Sequence, residues 1–286
     1  MSEIIKNRYE FVLLFDVENG NPNGDPDSGN MPRIDPETGY GIVTDVCLKR
    51  KIRNYVQIKK EDCLKFKIYV KEGVPLDQNR KWAYEQTEIA VPKNTKDAPP
   101  KEEYEKITKF MCDNFYDIRT FGAVMTLQYN CGQVRGPVQL NFARSVEPVF
   151  ANEITITSCT YANEGETSSK MGRKHIVPYG LYKAEGYVSA YLAQKTGFTE
   201  ADLELLWEAL INMFDHDHSA ARGKICSRKL IVFKHESMLG NIQAHKLFDL
   251  ISIKKKDSNK IARDFSDFEI EINNDKINGV EIIEKL

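Results

Sequence analysis

Residues 8–17, RYEFVLLFDV, alternate along the chain with a period of two, which is typical of a β-strand. One face of this strand carries the side chains of Tyr9, Phe11, Leu13, Phe15 and Val17. The opposite face carries those of Glu10, Val12, Leu14 and Asp16. Because both faces include large apolar side chains, we predict that the strand lies at the centre of a sheet.

A polar, turn-rich loop and a basic helix follow this strand. The loop, residues 21–39, has the sequence NPNGDPDSGNMPRIDPETG, and apolar residues at helical spacing begin after Thr44. The helix carries four cations with no acid among them, Lys49, Arg50, Lys51 and Arg53. Helix starts expose unpaired N–H groups and the positive end of the macrodipole, so a loop and cations there predict a phosphate-binding site. The alternative is an ordinary solvated helix surface, and in both cases we expect Lys49 and Arg53 to face solvent.

The rest of the chain completes an order of strands and helices. An amphipathic helix follows Thr199, where Thr199 and Asp202 approximate a capping box. We predict strands at 121–125, 138–143, 187–192 and 229–233. This order predicts an α+β fold with a split β-α-β-β-α-β core, an RRM-like (ferredoxin-like) palm. Residues 1–286 are assigned to this single domain, with 249–286 as a C-terminal extension of the palm that includes a possible edge strand at 268–272.

Two segments are predicted to lie outside the palm. Residues 59–115 mix short apolar pieces with charges and prolines, which indicates a finger-like insertion closed by a helix near 104–114. Residues 148–177 predict a long thumb β-hairpin, with strands near 154–158 and 171–176 and a polar tip at 162–169. Candidates for an apolar wedge between bases are Ile154, Ile156 and Met171, with Arg173, Lys174 and His175 meeting phosphates. Alternatively, the apolar residues hold the hairpin together or contact a neighbouring subunit.

Composition limits the classes of function. The 40 Lys and Arg residues and 42 Asp and Glu residues give a net charge of −2, so any nucleic-acid surface is a local patch. The six cysteines are scattered without a CxxC pair, which indicates neither zinc nor disulfides. The N-terminus lacks the apolar core of a signal peptide. We therefore expect a cytoplasmic protein without a cofactor or a membrane partner.

Two parts of the sequence contain residue types that can bind a metal ion, the acidic loop and a histidine pair. Residues 25–30 faintly resemble a calcium loop, and the acids that could hold a divalent metal are Asp25, Asp27, Asp35, Glu37 and Asp45. The prolines disturb the ligand geometry, and capping of tight turns explains these residues better. His216-Asp217-His218 follows the amphipathic helix without a third ligand nearby, so a helix C-terminal cap is the favoured interpretation. No hydrolase motif occurs, and we predict neither a metal site nor a catalytic residue.

Five motifs in one order resemble the CRISPR-associated backbone subunit, the "Cas seven" family, of type I-C Cascade effectors, with the type I-B branch second. The resemblance extends from Arg8 to about Asp249 and rests on residues 21–29, 32–39, 44–53, 135–145 and 171–180. It implies a hand-like molecule whose copies stack helically along one CRISPR RNA, with each thumb displacing a guide base. The remaining bases would stay exposed to pair with target DNA in antiviral defence.

The resemblance also implies site residues and partners. The RNA-binding residues would be Asn21, Asn23, Arg33, Lys49, Arg50, Arg53, Phe121, Gly122, Val124 and Arg135. Gly122 would permit close approach of the backbone to the RNA. The partners would be CRISPR RNA, target DNA, other copies of the chain, the subunit that caps the guide 5′ end, the large and small Cascade subunits, and a separately recruited helicase-nuclease.

Two other functions stay open on the sequence. Type III relatives use an aspartate in the corresponding loop for metal-dependent RNA cleavage, a role that Asp25, Asp27 or Asp35 could fill. The motifs match the type I pattern, whose members are scaffolds, so we expect no enzyme activity. A free-standing RNA-binding domain is the second alternative, but it leaves the long hairpin unexplained.

Overall fold

The structure is a computed structural model that describes residues 2–61, 63–94, 97–161, 164, 170–273 and 277–286. It has a mixed α/β architecture built on an antiparallel sheet. The strands are β1 Tyr9–Gly20, β2 Gly24–Asp25, β3 Met31–Pro32, β4 Tyr40–Val43, β5 Gly122–Met125, β6 Gly132–Arg135, β7 Val138–Leu140, β8 Ala143–Pro148, β9 Asn152–Thr157, β10 Met171–Val188, β11 Lys224–His235, β12 Ile251–Lys255, β13 Phe268–Ile272 and β14 Val280–Glu284. The helices are α1 Asp45–Lys59, α2 Leu76–Thr87, α3 Lys101–Asn114, α4 Tyr116–Phe121, α5 Ala190–Thr196, α6 Glu200–Asn212 and α7 Ala244–Phe248.

The predicted central strand is β1. The sheet has the order β14-β11-β1-β10-β8-β4, and β1 is antiparallel to both of its neighbours. The first part of β10 pairs with β9, and its later part pairs with β1, β7 and β8. The long strand β10 therefore connects the sheet directly to the β9–β10 hairpin.

Both faces of the sheet are covered by apolar clusters. Tyr9, Phe11, Leu13, Phe15 and Val17 belong to a core cluster shared with α1, α5 and α6. The ring of Phe11 lies 5.2 Å from that of Trp207 on α6, in an edge-on arrangement. On the opposite face, Val12 and Leu14 pack with side chains of α7, β12 and β13. The helix after Thr199 is confirmed as α6, complete with its capping box.

Glu10 and Asp16, the two buried acids of β1, both have partners. Asp16 accepts a hydrogen bond from the hydroxyl of Tyr179 at 3.2 Å and forms an ion pair with Arg228 at 2.8 Å. Glu10 contacts the ring of His235. These partners compensate the loss of hydration that burial imposes on the carboxylates.

A third apolar cluster is formed by residues that follow α1 in the chain. It contains buried side chains from Tyr69 to Cys131, contributed by α2, α3, α4, β5 and their connections. The helix predicted near 104–114 is α3. Residues in the predicted insertion therefore have a small core of their own, which also includes residues beyond 115.

Three predicted strands have different bounds in the structure. The strand predicted at 187–192 ends at Val188, because Ser189 caps α5 by accepting a hydrogen bond from the Leu192 N–H. The segment 138–143 is divided between β7 and β8. Phe121 ends helix α4, and β5 begins at Gly122. The strands predicted at 229–233 and 268–272 are confirmed within β11 and as β13.

Candidate nucleic-acid interface

The loop of residues 21–39 is attached to the start of α1 through Asn23. The side-chain oxygen Oδ1 of Asn23 accepts hydrogen bonds from the backbone N–H and the hydroxyl of Thr44, both at 2.9 Å. Thr44 in turn caps α1, because its Oγ1 accepts a hydrogen bond from the Cys47 N–H at 3.3 Å. The predicted N-cap is confirmed, and Asn23 fixes the position of the loop relative to the helix.

A segment that the sequence analysis did not assign to the site, residues 217–223, holds the same loop from the other side. Arg222 donates hydrogen bonds to the carbonyl oxygens of Asn21, at 3.3 Å, and Pro22, at 2.8 Å. The Asn21 N–H donates to the Ala221 carbonyl at 2.9 Å. A Cβ on Gly20 would lie 1.8 Å from the Arg222 carbonyl oxygen, so this approach requires glycine. In the sequence, only the glycine at position 223 hints at this close contact, and nothing there indicates that it lies against Asn19 and Gly20.

All four helix cations have acidic partners, which corrects the expectation that nothing neutralises them. Lys49 pairs with Asp45 at 2.8 Å, and Arg50 pairs with Glu72. Lys51 pairs with Asp217, and Arg53 pairs with Asp117 at 2.8 Å. Three of these acids are distant in the sequence, so the local charge pattern could not reveal them.

The expectation that Lys49 and Arg53 face solvent is also wrong. Their side chains are only 12% and 14% exposed, whereas that of Arg50 is 59% exposed. Lys51 is buried, and burial lowers its pKa below the ordinary value. Among these four cations, Arg50 is therefore the one most available to a phosphate.

Phe121 lies beneath two of these cations. The Lys49 Nζ is 5.7 Å from its ring centroid and the Arg53 guanidinium carbon is 5.2 Å from it, both within range of a cation–π interaction. Phe121 is buried, so its ring is not open to a stacked base. It holds the two side chains of α1 against the start of the β5–β6 hairpin.

Gly122 is needed for a contact within the protein. Its φ is +83°, and a Cβ there would lie 2.4 Å from the Val134 carbonyl oxygen and 2.6 Å from the Gly136 nitrogen. The close approach expected for RNA is thus taken by the chain's own backbone. In the antiparallel register of β5 and β6, Val124 and Arg135 share a face, and both side chains are exposed.

The candidate thumb residues lie on both faces of the β9–β10 hairpin. Ile154 pairs with Lys174 and Ile156 with Gly172, so these four positions share one face. Met171, Arg173 and His175 lie on the other face, where Arg173 pairs with Glu153 at 3.0 Å. Ile154 and Ile156 are each 43% exposed and Met171 is 78% exposed. The predicted tip at 162–169 lies outside the described residues except for Glu164.

Lys174 brings this hairpin next to the loop of residues 21–39. Its ammonium group donates a hydrogen bond to the Ala220 carbonyl at 2.9 Å, in the segment that also holds Asn21. The base of the hairpin, the loop and the start of α1 therefore form one continuous surface. Val124 and Arg135 of the β5–β6 hairpin connect to it through Gly122 and Phe121.

The loop acids cap turns and form ion pairs. Asp25 accepts a hydrogen bond from the Asp27 N–H at 3.2 Å and pairs with Arg33 at 3.5 Å. Asp35 accepts one from the Glu37 N–H at 3.1 Å, which lowers the pKa of its carboxyl, and pairs with Arg144 at 3.4 Å. The described residues bring together no group of three His, Cys, Asp or Glu side chains that could hold a metal ion.

His216-Asp217-His218 does not cap α6, contrary to expectation, because the helix ends at Asn212 with Met213 as its C-cap. Asp217 instead links Lys51 to Arg222, with which it forms a second ion pair at 3.4 Å.

For the ranges that the structure describes, no helix is long and apolar enough to cross a bilayer.

Comparison with known proteins gives a family and a fold. Residues 7–273 match the family model described as "CRISPR-associated protein Cas7". A protein named CRISPR-associated protein Cas7 from Haloferax volcanii is 28% identical over 290 residues, which cover 93% of this chain and 81% of that protein. A chain of a solved structure described as "CRISPR RNA-guided surveillance complex, pre-nicking" aligns with a TM-score of 0.52 at 15% identity. The alignment covers 79% of this chain and 78% of the other, and it shows a shared fold.

Proposed function

The chain belongs to the CRISPR-associated Cas7 family, and from this premise we propose that it is a non-catalytic backbone subunit of a CRISPR RNA-guided surveillance complex. In its finer form, the proposal places the complex in type I-C. Several copies bind helically along one CRISPR RNA without regard to its sequence, and the guide bases pair with target DNA. Family membership is the observation that carries this proposal.

The strand order supports an RRM-like palm. Strands β11, β1, β10 and β8 are adjacent in that order and antiparallel, and α1 and α6 contribute to the same core cluster. This is the order expected of a split β-α-β-β-α-β fold. In the proposed hand-like arrangement, the third cluster is the finger and the β9–β10 hairpin is the thumb.

The accessible cations support binding through the RNA backbone. Arg50 and Arg173 are 59% and 71% exposed in ion pairs on the surface, and Arg135 is exposed with no ion pair among the described residues. Exposed ion pairs contribute little free energy, so phosphates can replace their carboxylates at low cost. Contacts to phosphates position a strand without reading its bases, as a subunit that accepts any guide requires.

The proposed partners are those of such an assembly. They are CRISPR RNA, target DNA through guide pairing, other copies of this chain, the remaining Cascade subunits and a separate helicase-nuclease. The setting is the cytoplasm.

Purification from cells that carry the CRISPR array tests the proposal. Tagged protein is expected to retain guide RNAs of many spacer sequences in particles that contain several copies of the chain. If each subunit neutralises about four phosphates, the slope of log affinity against log salt is roughly −3 per subunit. Sequencing of the bound RNA, particle mass and a salt titration measure these quantities.

Three results would contradict the proposal. They are protein without RNA, strong preference among spacers of equal length, and cleavage of complementary RNA in magnesium or manganese. For the last, Asp25→Ala, Asp27→Ala and Asp35→Ala are the comparison, because loss of cutting in one of them would indicate an enzyme.

A further inference from the structure

A basic cleft lies at the C-terminal end of α1, away from the interface described above. Its volume is about 400 Å³, enough for one nucleotide. It lies between α1, the turn at Leu64–Phe66 and α2. The side chains that matter here are those of Lys60, Phe66, Lys67, Lys71, Trp82 and Phe115.

The cations of this cleft differ from those of α1. Lys60, Lys67 and Lys71 form no ion pair within the described ranges, whereas Lys49, Arg50, Lys51 and Arg53 each have a carboxylate partner. Glu61 also lines the cleft, so among the lining residues that the structure describes there are three cations and one acid. Three ammonium groups that line one cleft repel each other, and an anion bound among them relieves that repulsion.

Aromatic rings hold two of these lysines in place. The Lys67 Nζ lies 3.7 Å from the ring centroid of Trp82, and the Lys60 Nζ lies 5.2 Å from that of Phe66. A ring face attracts the ammonium group without neutralising its charge, so the N–H groups remain available to a phosphate. Trp82 itself is packed against Phe110 and Phe115, at centroid distances of 5.0 and 6.0 Å, and gives a firm surface for a base.

The cleft and the loop of residues 21–39 lie at opposite ends of one helix. The 15 residues of α1 span about 22 Å at 1.5 Å per residue. A single phosphate group cannot occupy both places. The cleft is therefore a separate contact for a nucleic-acid strand.

We propose that this cleft binds one nucleotide of single-stranded nucleic acid, independently of the strand segment held at the loop of residues 21–39. The phosphate lies between Lys67 and Lys71, and the base takes the place of the Lys67 ammonium group on the ring of Trp82 as that group turns to the phosphate. Phosphate attraction combined with stacking binds single strands without sequence preference. The inference rests on the proposed function only for the source of the strand.

Tryptophan fluorescence tests the proposal directly. The chain has two tryptophans, and Trp207 is buried at 2% exposure, so Trp82 is the one that a ligand in the cleft can quench. Full-length protein, washed free of co-purified RNA in high salt, is titrated with oligothymidylate of about 12 nucleotides, a length typical of single-strand sites. Quenching is expected, and Trp82→Phe is expected to abolish it while the far-UV spectrum is unchanged.

A charge-matched comparison isolates the lysines. Lys67→Glu with Lys71→Glu is expected to weaken the binding at least tenfold and to reduce the salt slope by about 0.7, the value for the one phosphate that the two lysines hold. Lys101→Glu with Lys254→Glu makes the same change in net charge at side chains that are 88% and 68% exposed. This control is expected to change the affinity less than about twofold.

Three outcomes would contradict the proposal that the cleft binds a nucleotide. They are quenching that persists in Trp82→Phe, equal weakening by both lysine pairs, and equal quenching by inorganic phosphate at the same phosphate concentration. The RNA that co-purifies with the protein separates the two proposals. Wild-type protein that purifies without RNA contradicts the proposed function and leaves the fluorescence titration valid. Protein that carries RNA, but shows no Trp82 quenching once that RNA has been removed, contradicts only the cleft.

Discussion

Arg50 and Arg53 lie about one turn apart on α1, but the side chain of Arg50 is exposed and that of Arg53 is largely buried. Arg53 is the ion-pair partner of Asp117, a buried carboxylate that also accepts hydrogen bonds from the Tyr69 and Val70 N–H groups. Arg53→Glu would place a second carboxylate beside it. We expect a loss of about 3–5 kcal/mol in the free energy of unfolding, because removal of one partner leaves a buried charge uncompensated. Urea denaturation measures this loss.

Arg50→Glu is the matched control on the same helix. Its partner Glu72 is exposed, so the change in stability is expected to stay within about 0.5 kcal/mol. RNA that co-purifies with this variant is expected to decrease, since repulsion replaces attraction at a phosphate. Equal stability losses in the two variants would contradict the distinction between a structural arginine and a binding arginine.

At the level of single residues, the sequence predicts helix caps better than it predicts ion-pair partners. Thr44, Thr199 and Asp202 act where they were expected, because a cap bonds to a backbone group within a few positions. The partners of Lys51 and Arg53 are 166 and 64 positions away. Their pairing depends on how the elements pack, so the four cations looked free in the sequence.

The β9–β10 hairpin can be shortened without disturbing the sheet. Replacement of residues 159–173 by a short glycine-containing turn keeps Lys174 and its bond to Ala220. We expect a folded protein that retains weak RNA binding but forms no ordered multi-subunit particle. Mass photometry and chemical probing of the bound guide measure the two effects, and an unchanged particle mass would refute the thumb assignment.

Point variants on the two faces of the hairpin refine this test. Ile154→Ser with Ile156→Ser removes a pair of adjacent apolar side chains beside Lys174, whereas Met171→Ser removes one exposed side chain from the opposite face. We expect the isoleucine variant to weaken assembly more, because an apolar wedge needs a contiguous surface. A larger effect of Met171→Ser would assign the contact to the other face.

At the level of elements, periodicity identified β1, α1 and α6, but it missed α2 and gave only the two ends of β10. The segment 187–192 has the aromatic and β-branched composition of a strand, but Ser189 within it is the N-cap of α5. The apolar residues of α5 follow that cap directly. Short elements give few residues for a period, so local hydrogen bonds decide where they end.

For the whole molecule, the alternation of residues 8–17 correctly predicted a strand at the centre of the sheet. It could not indicate what covers the second face, because α7, β12 and β13 come from the far end of the chain. Nor could it place the third cluster, whose residues are brought together by α2, α3 and β5. Arrangements between distant segments depend on packing that a local pattern does not contain.

Buried tyrosines predict how the stability of the whole molecule depends on alkaline pH. Burial raises the pKa of Tyr9, Tyr55, Tyr69 and Tyr84 to about 12 each. It also raises the pKa values of Tyr116, Tyr179 and Tyr182 above the ordinary range. These residues belong to all three core clusters. Ionisation therefore opposes the folded state throughout the molecule.

The sign of the effect follows from linkage. A tyrosine whose pKa is higher in the folded state contributes stability that is complete below the unfolded value of about 10 and is lost as the pH rises through about 12. Lys51 acts in the opposite direction, because burial lowers its pKa, but it is one group against seven tyrosines. The free energy of unfolding is therefore expected to fall steadily from about pH 10 upward.

Urea midpoints and tyrosinate absorbance, measured across the same pH range, check this prediction. The exposed tyrosines are expected to ionise first, and the buried ones only as the far-UV spectrum is lost, in a single cooperative step. Ionisation of all 13 tyrosines near pH 10 with an intact far-UV spectrum would contradict it. Because Tyr69 and Tyr84 lie in the third cluster, an early partial step limited to two tyrosines would show that this cluster unfolds before the sheet.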